Sequence, residues 1–214
     1  MNTTAITFVE RIMTQLKLFF LLILTTLLLI NCTVSKDPMR KEARQLQKGI
    51  VKEDTSYVYS LPFANNISYR VAQGYFSQYS HKNRAAIDFK MKRGTPFYSA
   101  RNGIVVRVKE DGHRGGLNQK YRKDGNFIII QHPDSSRAGY WHLQNNGAIV
   151  NIGDTIVQGQ LIGYSGKTGY ALFPHLHFLV WRYDKKGNWQ QTATRFKTSK
   201  GILYLRPFRK YHNN

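Results

Sequence analysis

The chain has 214 residues, of which 32 are Lys or Arg and 12 are Asp or Glu, for a formal net charge of +20. A single cysteine excludes both a disulfide framework and a cysteine-built zinc site. The length suffices for one domain with a real core, and the charge implies attraction to a polyanion: nucleic acid, acidic lipid headgroups or the anionic polymers of a cell envelope.

The N-terminus reads as a targeting segment. Arg11 and Lys17 precede the uncharged run Leu18–Ile30, which is shorter than the ~20 residues a membrane-spanning helix needs. That length fits the apolar part of an export signal. The sequence continues "LLINC", and a leucine three residues before a lone cysteine resembles a bacterial lipoprotein signal, which implies lipidation of Cys32 as the mature N-terminus. Asn31 departs from the small residue usual just before it, and an uncleaved N-terminal anchor is the rival reading. The expectation is an exported protein of the bacterial cell envelope, held at a membrane. Export argues against nucleic acid as a partner and leaves the anionic envelope surface as the object of the positive charge. Residues 1–31 are assigned to the signal. Residues 32–56 are charged and weakly apolar, show no helical stripe beyond a turn or two around Ala43 to Leu46, and are assigned to a tether.

From residue 57 to 214 the texture changes to short β-branched and aromatic runs punctuated by Gly, Asn and Asp. "FYSARNGIVVRV", "NFIIIQH", "AGYWHL" and "HLHFLVWRY" read as strands. Asn102-Gly103 is placed as a hairpin turn, and "DKKGNW" as another after Tyr183. Two glycine-led segments, "RGTPFYSARNGIVV" and "IGDTIVQGQLIGYSG", look like similar strand-turn units facing each other. The second is also close to biotin- and lipoyl-carrier domains, a non-enzymatic rival, although it has no lysine at a hairpin tip. "DGHRGGLNQKYRKDG" reads as a long basic surface loop. The fold class expected is mainly β: an antiparallel sheet or sandwich of the duplicated hybrid-motif type, with long loops around a groove.

In an extended "HLHFLVWRY", His175 and His177 point to one face, about two strand rises apart. Two buried imidazoles need partners, and either a metal, a catalytic hydrogen bond or a structural network can supply them. Zinc hydrolases use three protein ligands and an open position, and candidates occur in three places: His81 and Asp88 in "SHKNRAAID", His142 in "YWHL", and the His175–His177 pair. His113, His132 and His212 read as a solvated loop residue, a polar strand end beside Pro133 and Asp134, and an exposed tail residue.

These motifs resemble, in order and spacing, those of the lysostaphin-type zinc endopeptidases that cut peptide crosslinks in bacterial cell walls. "AIDFKMKRGTP", "YWHL", "GDTIVQGQLIG" and "TGYALFPHLHF" carry the likeness from about Leu61 to Trp181. The resemblance implies one Zn2+ per chain held by His81, Asp88 and His177, with His142 and His175 as catalytic residues and peptidoglycan stem peptides and crosslinks as substrate. The commoner form of the family places three residues between the first histidine and the aspartate, whereas six separate His81 from Asp88 here and Arg84 stands in the nearer position. Arginine stays protonated and cannot bind zinc. A branch with "Q-G…S-H" ahead of the aspartate resembles "QGYFSQYSH", and implies that His81 reaches in from a longer loop. The implied activity is that of a metalloendopeptidase. The alternative is an inactive envelope module of the same fold that binds peptidoglycan or regulates another hydrolase.

Overall fold

The computed structural model describes residues 10–21, 35–37, 39–51, 57–184 and 186–214. Cys32 and most of the apolar run before it lie outside the described residues. Residues 10–21 are helical, and among the described residues no helix is long and apolar enough to cross a membrane. Met39–Lys48, inside the segment expected as a tether, is a ten-residue helix rather than a turn or two. Its propensity is ordinary; what holds it is burial of Ala43 and Leu46 and a hydrogen bond from Gln47 Nε2 to the Leu205 carbonyl at 2.7 Å.

The remainder is mainly β. We number the strands β1 (Val58–Ser60), β2 (Ser68–Gln73), β3 (Ala86–Lys90), β4 (Pro96–Tyr98), β5 (Gly103–Lys109), β6 (Gly115–Gly116), β7 (Phe127–Gln131), β8 (Arg137–Trp141), β9 (Leu143–Ala148), β10 (Thr155–Ile156), β11 (Leu161–Ser165), β12 (Gly169–Tyr170), β13 (His175–Tyr183), β14 (Trp189–Thr192), β15 (Arg195–Thr198), β16 (Gly201–Tyr204) and β17 (Lys210–His212). Among the described residues the largest sheet is antiparallel, in the order β10-β5-β7-β8-β13-β3-β2-β17, with β14 also on β13. A three-stranded antiparallel sheet, β4-β11-β9, packs against it. The pairs β1–β15 and β6–β12 are parallel.

The period-2 pattern sorts the large sheet into two faces. Ile87, Phe89, Leu176, Phe178, Val180, Tyr140, Ile128 and Ile130 are buried on one face and form the core, where each side chain contributes about 1.5–3 kcal/mol on full burial. Tyr140 stacks on Phe97 of the small sheet, ring centres 5.8 Å apart, and its hydroxyl accepts the Ala100 N–H at 2.8 Å. The opposite face carries Asp88, His175, His177 and Trp141.

The two glycine-led segments do face each other, β4 pairing with β11 and β5 with β10. Asn102-Gly103, however, is no hairpin: β4 and β5 belong to different sheets. A Cβ on Gly103 would meet the Gln131 carbonyl oxygen at 2.3 Å, so the glycine serves the close approach of β7 rather than a turn. The tail is likewise ordered, with His212 in β17, half-buried and bonded to Ser68 Oγ.

Candidate metal centre

Three adjacent strands bring the chemistry together. His177 pairs with Asp88 across β13–β3 and with Trp141 across β13–β8, so the three side chains stand abreast on one face. His81 arrives on the loop before β3 and is 1% exposed. A bulge in β2 between Val71 and Gln73 sets Gln73 opposite Asp88.

The geometry is tight. His177 Nδ1 lies 2.8 Å from Asp88 Oδ1, and His81 Nε2 lies 3.2 Å from both. Around an ion bound tetrahedrally at ~2.0–2.2 Å, ligand atoms stand roughly 3.3 Å apart, so these spacings suit a small cation. The tautomers agree. His81 Nδ1 donates to the Gly74 carbonyl at 3.1 Å, which turns the Nε2 lone pair toward Asp88. Gln73 Nε2 donates to Asp88 Oδ2 at 3.0 Å, leaving Oδ1 for the cluster. Gln73 Oε1 in turn accepts from Ser77 Oγ and the Ser80 N–H, tying the loop that carries His81 to the carboxylate.

His142 and His175 form the other side. Their Nδ1 atoms each donate to a carbonyl at 2.7 Å, of Thr168 and Phe173 respectively, so both present Nε2 lone pairs. Their rings are 4.6 Å apart, and His142, His175 and His177 make a second group whose ligand atoms lie within 4.8 Å of one another, as do those of His81, Asp88 and His177. His142 sits at the corner between β8 and β9 with φ of 67°, a conformation that non-glycine residues hold only under constraint. Here the constraint is its N–H bonded to the Asn126 carbonyl at 2.9 Å.

Electrostatics keep Asp88, His177 and His142 in ligand form. Burial raises the Asp88 pKa, but His81, His175 and His177 outweigh it and hold the carboxyl well below its usual range. Burial lowers His177 to about 4 against the opposing pull of Asp88. Burial, reinforced by His175 and His177, lowers His142 well below its ordinary value. Near neutral pH the carboxylate is charged and these two imidazoles are neutral, as metal binding and proton abstraction require.

All five residues singled out in the sequence converge. His113 is exposed in its loop, and His132 is buried elsewhere, its Nδ1 bonded to the Asn102 carbonyl at 2.7 Å and its ring against Tyr59. Sequence reasoning quoted Gln73 in "QGYFSQYSH" without giving it a role, and did not single out Asn126 or Gly139. Asn126 is fully buried and its carboxamide bonds the carbonyls of Glu110, Gly112 and Gln144. A Cβ on Gly139 would meet the Trp141 ring at 2.1 Å; its absence lets that ring lie beside His177, centres 5.6 Å apart.

Several known proteins are similar to this chain. An uncharacterized metalloprotease of Buchnera aphidicola subsp. Baizongia pistaciae is 37% identical over 123 residues, covering 56% of this chain and 29% of the relative. The peptidoglycan DD-endopeptidase ShyA of Vibrio cholerae is 37% identical over 91 residues, covering 42% and 18%. The chain thus spans less than a third of the length of these curated relatives. The catalytic domain of lysostaphin from Staphylococcus simulans has a TM-score of 0.42 at 28% identity, over 59% of this chain and 88% of that one. The description "Peptidase family M23" matches residues 82–189, half of the chain, taking in Asp88, His142, His175 and His177 and beginning one residue after His81. On that match and these motifs, the chain belongs to peptidase family M23.

Proposed function

We propose that the chain is a zinc-dependent endopeptidase that hydrolyses peptide crosslinks of bacterial peptidoglycan. The observation that carries this reading is the meeting of His81 Nε2, Asp88 Oδ1 and His177 Nδ1 within 3.2 Å, with two further imidazoles beside them. Two imidazoles and a carboxylate in a buried setting are a donor set suited to zinc. A bound zinc ion acidifies water and polarises a carbonyl.

The chain's own residues do the rest. Asp88, kept ionised and oriented by Gln73, supplies the negative charge of the ligand set. His142 and His175, fixed as Nδ1–H donors to main-chain carbonyls, present the two nitrogens that can take a proton from the attacking water and serve the oxyanion or leaving amine. The name of the Vibrio relative, a peptidoglycan endopeptidase, supports the substrate class. Export, with lipidation of Cys32 or an uncleaved anchor, completes the proposal of an enzyme acting in the cell envelope, where the strong positive charge, +20 over the full sequence, favours anionic polymers.

The test is digestion of purified peptidoglycan by the protein with and without added Zn2+, read as loss of crosslinked muropeptides. Zinc-dependent loss that disappears in His177→Ala supports the proposal; intact crosslinks with metal-loaded protein sink it in favour of a non-catalytic module.

A further inference from the structure

The catalytic face does not end at the cluster. Strand alternation and register place His177, Leu179, Trp181 and Tyr183 in one line along β13, with Trp141 beside His177, Gln191 beside Trp181 and Trp189 beside Tyr183. Trp141 and Trp181 meet edge to face at 5.3 Å, and the Tyr183 and Trp189 rings lie 4.2 Å apart, tilted by 34°. Tyr183 is 50% and Trp189 40% exposed, so these rings are not core.

Trp181 and Trp189 wall a cavity of about 300 Å3 together with Phe76, Asn83, Gln190 and Gln191, while Asp37 and Met39 close it from the N-terminal side. The Gln191 carboxamide oxygen accepts the Ala85 N–H at 3.0 Å, which leaves its NH2 group for the cavity. Phe76 holds φ of 50°, a strained conformation fixed by its N–H bond to the Arg84 carbonyl at 2.9 Å. Among the described residues no Lys or Arg lines this cavity; the Arg137 guanidinium lies over the Trp189 ring, 5.1 Å from its centre. Aromatic faces with carboxamides and one carboxylate are the complement of a sugar, which offers C–H patches to rings and hydroxyls or acetamides to amides. The volume is at the small end for ligand sites, enough for an N-acetylated sugar ring.

We propose that Trp181 and Trp189, the latter backed by Tyr183, with the amides around them, seat a sugar of the glycan strand from which the cleaved peptide hangs. The inference rests on the proposed peptidoglycan substrate and adds a second contact to it. Trp181 is four residues from His177 on the same strand, roughly 13 Å at ~3.3 Å per residue. An extended peptide of about four residues covers that distance, so a stem peptide can join the seated sugar to the metal centre.

The test uses the full chain and peptide-free glycan strands, made by amidase treatment of peptidoglycan, in a tryptophan-fluorescence titration with chelator present. Saturable binding is expected, weakened at least about tenfold in Trp189→Ala and in Tyr183→Ala but retained in Trp189→Phe. Absence of binding, or binding unchanged in both alanine variants, overturns the proposal. So does a Trp189-dependent affinity for phosphatidylethanolamine–phosphatidylglycerol vesicles without glycan binding. Since this titration needs no metal and no hydrolysis, glycan binding by a protein that cleaves no crosslink would remove the endopeptidase reading and leave the sugar seat standing.

Discussion

His177 and Asp88 face each other across paired strands, Nδ1 to Oδ1 at 2.8 Å, and His81 Nε2 closes the triangle from a loop seven residues earlier in the chain than the aspartate. Neither strand residue can move far without breaking a ladder that is buried on both sides. The loop histidine is the one member held by side-chain bonds instead, through Gln73 and the Gly74 carbonyl.

Removing a strand ligand should therefore separate chemistry from folding. In His177→Ala and Asp88→Asn, bound zinc measured by elemental analysis should fall below one per ten chains and crosslink hydrolysis should disappear, with far-UV circular dichroism unchanged. Full zinc occupancy in either variant would contradict the ligand assignment.

Gln73→Ala should act through the carboxylate and the loop. Loss of the bond to Asp88 Oδ2 and of the ties to Ser77 and Ser80 should weaken zinc binding by about 10–100-fold, the range seen when a group orienting a metal ligand is deleted. Competition with a chromophoric chelator reads this directly. Excess zinc should restore most hydrolysis, an outcome a lost catalytic group would not give.

Gly139→Ala should be disproportionately harmful for a methyl group. The new Cβ would stand 2.1 Å from the Trp141 ring, which must swing away from His177. Overpacking of this kind costs about 1–3 kcal/mol, visible as a lowered Tm, and the displaced indole should change the tryptophan emission. An unchanged Tm and spectrum would show that the ring has room elsewhere.

His132 sets a pH dependence independent of the metal. Burial lowers its pKa from 6.5 to about 4, partly opposed by its bond to the Asn102 carbonyl, so the fold binds the neutral form. The contribution is fully present above pH 6.5, declines as the unfolded chain takes up a proton, and is lost as pH falls through about 4; the whole amounts to roughly 3 kcal/mol. Denaturant unfolding of zinc-loaded protein between pH 7 and 4 should thus show a smaller decline in His132→Asn, whose carboxamide can still donate to Asn102, than in the parent. Parallel curves would refute it.

Much of the site was legible before any coordinates. Period-2 alternation in "HLHFLVWRY" is local, so the shared face of His175 and His177 follows from strand geometry alone. The mainly β class follows from the β-branched and aromatic runs. Other expectations failed where local signals met distant partners. Asn102-Gly103 has the composition of a hairpin turn, yet its glycine admits the Gln131 carbonyl of another strand. Met39–Lys48 is weakly apolar by itself, and only docking of Ala43, Leu46 and Gln47 makes it a helix.

His132 shows the boundary: Pro133 and Asp134 mark it locally as a polar strand end, yet the fold buries its ring against Tyr59. Sequence by itself determined which side chains could share a face and which could donate to a metal. The tertiary structure decided which of them meet, because the register of β13 against β3 and β8, the bulge at Gln73 and the reach of the His81 loop are set by contacts between residues up to a hundred positions apart, and no local propensity encodes those distances.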